Sequence, residues 1–103
     1  MARGQIIVET GRLDAVAAQV EGYADDYRAA YEALYVDVAS LDSETLGKAN
    51  ETFITQINGF KDDFQRMEAL MREYANYLKK SAAALRDKDA QLAAEAAKLS
   101  TGA

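Results

Sequence analysis

The 103-residue sequence contains no cysteine, no histidine, no proline and no tryptophan. Without cysteine there is no disulfide, no thiolate nucleophile and no cysteine-based zinc site. Without histidine the commonest general base and metal ligand is missing. The absence of proline removes the strongest helix breaker. No segment approaches the ~18 consecutive apolar residues of a membrane span, so membrane insertion is not expected. Basic residues are also in the minority: 12 Lys and Arg stand against 17 Asp and Glu, a net charge of −5. Binding through nucleic-acid phosphates needs clustered cations and is therefore not expected either. What remains is rich in Ala, Leu, Glu, Asp, Lys and Arg, most of them good helix formers, and half of the residues are apolar.

The apolar spacing is helical throughout. From Leu13 the apolar positions are Val16, Val20, Tyr23, Tyr27, Tyr31, Leu34, Val38 and Leu41, at steps of three and four that a strand cannot produce. Residues 1–10 read as an N-terminal arm, with Thr10 placed as a helix N-cap. A first helix is expected over about 11–41, roughly 46 Å long at 1.5 Å per residue. The segment 42–47 breaks the pattern with Asp42, Ser43, Thr45 and Gly47, and Gly47 permits the positive φ of a tight connection.

A second helix is expected over about 47–98, roughly 75 Å long. Two ladders run along it at seven-residue steps: Leu46, Phe53, Phe60, Met67 and Tyr74, and Ile57, Phe64, Met71, Leu78, Leu85, Leu92 and Leu99. The fold class that follows is all-α, an antiparallel two-helix hairpin of unequal arms. The shorter first helix is expected to cover the second only to about residue 77, leaving 82–103 as an overhanging end and tail.

The stripe on the second helix is too wide for one neighbour. Ile54, Leu70 and Tyr77 flank the two ladders, and a single antiparallel helix covers about a two-position seam. A second hairpin supplies the missing cover, so the hairpin is expected to pair into a four-helix bundle dimer. Tyr23, Tyr27, Tyr31, Phe53, Ile57, Phe60, Phe64, Met67 and Met71 are the expected core and dimer-interface residues. The tyrosines at 23, 27, 31 and 35 step by four, so their row winds from the seam toward a flank.

Other features read as ordinary helix surface. Asp25-Asp26, Asp62-Asp63 and the pair Asp87/Asp89 point about 100° apart or lack a histidine partner, so no metal or acid–base site is expected among them. Gly22 and Gly59 fall inside helices, where close helix approach is one explanation and tolerance at an exposed position the other. Asn50-Glu51-Thr52 matches a glycosylation sequon by chance, and Lys79-Lys80 is too small a cluster to bind a polyanion. No catalytic residue and no cofactor is expected, and an enzyme is a distant third reading.

The turn and its flanks carry a family resemblance that covers essentially the whole chain. Gly47, with Thr45 two residues before it and Phe53 six residues after it, resembles the hairpin-turn motif of the WXG-motif or Esx proteins of type VII secretion systems. Thr45 stands where that family places tryptophan, and Phe53 stands at its aromatic position. In the family's tail signal, Tyr-x-x-x-Asp/Glu, the nearest analogue here is Leu85 with Asp89. The resemblance implies a bacterial secretion-associated hairpin, either a secreted substrate or a co-secreted targeting partner. It implies a homodimer or a heterodimer with a related helical protein, and contacts with a type VII toxin's N-terminal helices and the secretion ATPase. Leu85 and Asp89 become the export tail. Ile6-Ile7-Val8 is too short a run for a signal-peptide core, so export without a cleaved signal, preceded by a cytoplasmic stage, is expected. The alternative is a structural helical-bundle adaptor with no export role.

Overall fold

The computed structural model describes residues 3–41 and 47–101. Among them there is no strand, and the elements are α1 (Arg3–Ala39), α2 (Lys48–Gly59) and α3 (Lys61–Thr101). The chain forms two compact units: a central one, Glu21–Arg72, and a terminal one made of Met1–Val20 with Glu73–Ala103. In each, α1 packs antiparallel to the second helical arm. The expected hairpin of two helical arms is therefore observed, while Thr45 and most of the expected turn lie outside the described residues.

Of the expected arm at 1–10, the described residues 3–10 are helix. Thr10, placed as an N-cap by the sequence, is instead buried at 1% exposure within α1. Its hydroxyl donates to the Ile7 carbonyl at 3.0 Å. A threonine inside a helix satisfies itself in this way, so the hydroxyl that suggested a cap is compatible with burial. Thr10 opens a line repeated every seven residues, Thr10, Ala17, Ala24, Tyr31 and Val38, all buried. This line is the face that α1 presents to its neighbour.

In the terminal unit Ala17, Ala75 and Leu78 form a buried cluster, flanked by Leu13 and Val20. Ala82 is also fully buried. Small side chains at a contact favour the short end of the interhelical range. Asp14 pairs with Arg86 across the two arms. Because α1 starts at Arg3, the pairing extends past the expected limit near residue 77 as far as residue 86. Beyond Ala82 most positions are exposed, with Asp89 and Ala93 partly covered and Ala94 to Leu99 exposed without a break.

The expected uninterrupted second helix is broken at Phe60. Gly59 weakens the helix locally, and the Phe60 N–H turns back to the Ile57 carbonyl at 3.1 Å. The Tyr35 hydroxyl donates to the same carbonyl at 2.6 Å. A side chain that enters the backbone ladder in this way is a recognised cause of helix interruption.

Of the interior glycines, Gly22 and Gly59 both face open space: a Cβ added at either would meet nothing within 4 Å. Close helix approach therefore does not explain them. Gly47 differs, with φ +79°, the backbone conformation anticipated for it. Gly22→Ala is expected to raise stability by about 1 kcal/mol, while Ala75→Leu, which overfills the seam, is expected to lower it by ~1–3 kcal/mol. Urea denaturation of the two variants beside the parent chain measures both changes.

Candidate interaction face

The central unit has two unlike sides. On α1, Tyr23, Tyr27, Ala30 and Leu34 lie about 40–100° back from Tyr31 around the helix axis, and on the opposing arm Phe60, Met67 and Leu70 lie back from Phe64 and Met71 in the same sense. Because the arms run antiparallel, backward rotation on each opens to the same side of the pair. That side is apolar. A shallow groove in it, about 160 Å³, is lined by Tyr27, Ala30, Tyr31, Leu34 and Phe64.

The rings beneath it are packed. Tyr31 stacks on Phe64 with centroids 6.0 Å apart, and Tyr27 meets Phe64 edge-on at 6.2 Å. Phe60 of the first ladder lies against Phe64 with centroids 6.4 Å apart, yet the row itself remains in water. Phe60, Met67 and Leu70 are 51%, 49% and 53% exposed, and Tyr23 is 60% exposed. Phe53 on α2 is half exposed as well, and Ile57, Phe64 and Met71 are half-buried. One helix covers one seam, and the second ladder occupies it.

The opposite side is polar and was not legible as a unit in the sequence. Glu68 and Tyr31 are buried, at 7% and 8% exposure. The Tyr31 hydroxyl donates to Glu68 Oε1. Arg72 donates to Glu68 Oε2 through Nε at 2.8 Å and to Asp25 through Nη2 at 2.9 Å. Arg28 pairs with Glu32 at 2.8 Å and stands 3.9 Å from Glu68. The signal for Glu68 is its spacing: four residues after Phe64 and three before Met71, it shares their face.

Beside the cluster an open groove of about 560 Å³ is lined by Arg28, Tyr31, Glu32, Tyr35, Lys61 and Gln65, with Val36 and Ala39 at its edge. The Lys61 ammonium sits 5.7 Å above the Tyr35 ring. A cation at that distance is attracted by the ring face.

The electrostatics follow from these contacts. The Tyr31 hydroxyl, and then Arg72, hold the Glu68 carboxyl below its ordinary value of 4.5. The same bond to Glu68, aided by burial, holds the Tyr31 phenol above 10. Burial raises Tyr35, with Asp62 and Asp63 adding to it. Glu32 and Glu68 respectively raise Arg28 and Arg72.

The remaining sequence candidates do not join one site. Gly47 is exposed, Leu85 is 40% exposed in the terminal unit, and Asp89 nearby is partly covered. Among the described residues no group of acidic side chains is arranged to hold a metal, and no helix is long and apolar enough to cross a membrane.

The family model for WXG100, proteins of 100 residues with WXG, matches residues 5–90. The chain belongs to the WXG100 family. This is a family of small helical proteins of type VII secretion. No curated protein and no solved structure matches the chain. Gly47, the residue the sequence places in the turn of this WXG100 chain, has the positive φ expected of a turn glycine.

The pKa directions predict a stability plateau with two edges. Glu68 has a lower pKa folded than unfolded, so its contribution is fully present above 4.5 and is lost as pH falls through the depressed value. Tyr31 and Tyr35 are raised, so theirs is present below 10 and is lost as pH climbs through the elevated values. Urea midpoints measured from pH 3 to 11 should show both edges, with Glu68→Gln flattening the acid one and Tyr31→Phe the alkaline one.

Proposed function

We propose that this chain acts in type VII secretion by pairing, through its apolar side, with a second helical hairpin to form a four-helix bundle. It is a secreted substrate or a co-secreted targeting partner, works by protein–protein binding, and carries out no catalysis. The observation that supports this most directly is the exposed row of Phe60, Met67 and Leu70 facing the same way as Tyr23. Large apolar side chains contribute ~1.5–3 kcal/mol each when taken out of water, and a row of them on one side of a helix pair is the surface a bundle buries.

Surface area supports the same reading. The chain exposes 7654 Å², against about 5,700 Å² for a folded monomer of this mass. Counted over two partners, twice that difference falls in the range of the large interfaces of permanent complexes. The Leu85/Asp89 pair is the export tail in this proposal, and the secretion ATPase and a toxin's N-terminal helices are its readers.

A second reading, a bundle adaptor with no export role, draws on two residues: Thr45 at the tryptophan position and Leu85 at the aromatic one. Secretion assays separate the two. Leu85→Ser with Asp89→Asn should abolish export in the native host and leave pairing intact; unchanged export would overturn the tail assignment, and a parent chain that is not exported at all would favour the adaptor.

Pairing has its own test. Sedimentation of the chain, alone and mixed with a related helical protein from its host, should show a dimer. Met67→Asp with Leu70→Asp should raise the dissociation constant by about a hundredfold, roughly 2.7 kcal/mol. A chain that stays monomeric in both samples at micromolar concentration would sink the proposal.

A further inference from the structure

The seven-residue repeat that builds the central seam also makes it degenerate. α1 contributes Ala24, Tyr31 and Val38, and the opposing arm contributes Ile57, Phe64 and Met71. A slide of one arm past the other by seven residues, about 10 Å, nearly preserves the rotational phase of both helices. Apolar positions then meet apolar positions again: Tyr31 moves from the level of Phe64 to that of Met71, and Val38 takes its place at Phe64. Packing of this kind tolerates many apolar pairings, so it chooses weakly between the two registers.

Glu68 breaks the tie. Its carboxylate is buried on the seam and takes the Tyr31 hydroxyl from across the pair. Arg72 braces the same carboxylate and reaches over to Asp25. After a seven-residue slide the residue at the place of Tyr31 is Val38 in one direction and Ala24 in the other. Neither side chain carries a donor. Arg72 travels with Glu68, but the oxygen that takes the Tyr31 hydroxyl would be left buried without a donor, which is disfavoured, whereas an apolar pair of similar volume is well tolerated in its place. A single buried polar residue is known to fix register in coiled coils by this asymmetry.

We propose that Glu68, held by Tyr31 across the seam and braced by Arg72, selects the register of the helical hairpin from among seven-residue alternatives. The assignment concerns contacts inside one chain, so it stands or falls independently of the pairing reading. It is also spatially separate, since the cluster lies on the polar side and the exposed row on the apolar one.

Ring and methyl contacts read by nuclear Overhauser spectroscopy provide the test, on a sample diluted with unlabelled chain so that contacts between chains drop out. The parent should show contacts of the ring at position 31 with Phe64 and none with Met71. Glu68→Gln keeps an acceptor for the hydroxyl and should preserve that pattern. Glu68→Leu, and the double variant Glu68→Leu with Tyr31→Phe, should add a second set in which the ring at 31 touches the Met71 methyl and Val38 touches Phe64. If Glu68→Leu alone fails to fold, the double variant supplies the reading. A folded double variant with only the Phe64 contacts would overturn the proposal. So would a double variant that cannot fold, because the pair would then supply stability and not register.

Discussion

Two helices in contact can hide only a narrow strip of each other, and this geometric limit organises the whole chain. α1 spends its strip on a line of small or slim residues, Thr10, Ala17, Ala24 and Val38, with Tyr31 as the one large member. The second arm answers with Ala75, Leu78 and Ala82 in the terminal unit and with Ile57, Phe64 and Met71 in the central one. Bulky apolar residues outside the strip, Phe60, Met67 and Leu70 among them, stay in water. Among the described residues nothing covers that surplus, and the chain belongs to a secretion family whose members typically form helical dimers.

The polar side of the central unit follows from the same limit. A seam of repeated small and apolar residues is forgiving, and forgiving seams need something directional. Glu68, Tyr31, Arg72 and Asp25 supply direction through hydrogen bonds whose geometry a slide would break. Tyr35 does comparable work at the far end of the unit, where its hydroxyl fastens the Ile57 carbonyl at the break before α3. Phenol oxygens are thus used twice to join one arm to a defined point on the other, and both lie on α1.

Much of this was legible in the spacing of apolar residues. The period identified two helical arms, and the excess width of the second arm's stripe identified a face that one neighbouring helix leaves exposed. Three features were not legible, each for a physical reason. Thr10 looked like a cap because a hydroxyl suits a helix start, yet inside a helix it can bond backward and be buried. The break at Phe60 depends on Tyr35, a residue 25 positions away in sequence; no local window contains it. Nothing in the type of Glu68 signals burial, because charge usually means exposure, and its cover rests on the Tyr31 hydroxyl of the other arm together with Arg72 of its own helix. For the family's own motif, Gly47 is the legible part, and Thr45 lies outside the described residues.

The separation of the two sides of the central unit has an evolutionary consequence. Residues that hold the hairpin together and residues left over for a partner are different sets, one on the seam and polar side, the other on the apolar side. Under the pairing proposed above, substitutions at Phe60, Met67 or Leu70 would change what the chain prefers to associate with while leaving Ala24, Tyr31 and Glu68 untouched. Lineages could then trade partners after gene duplication without first destabilising the scaffold, and selection for a new association would not need to retune the fold.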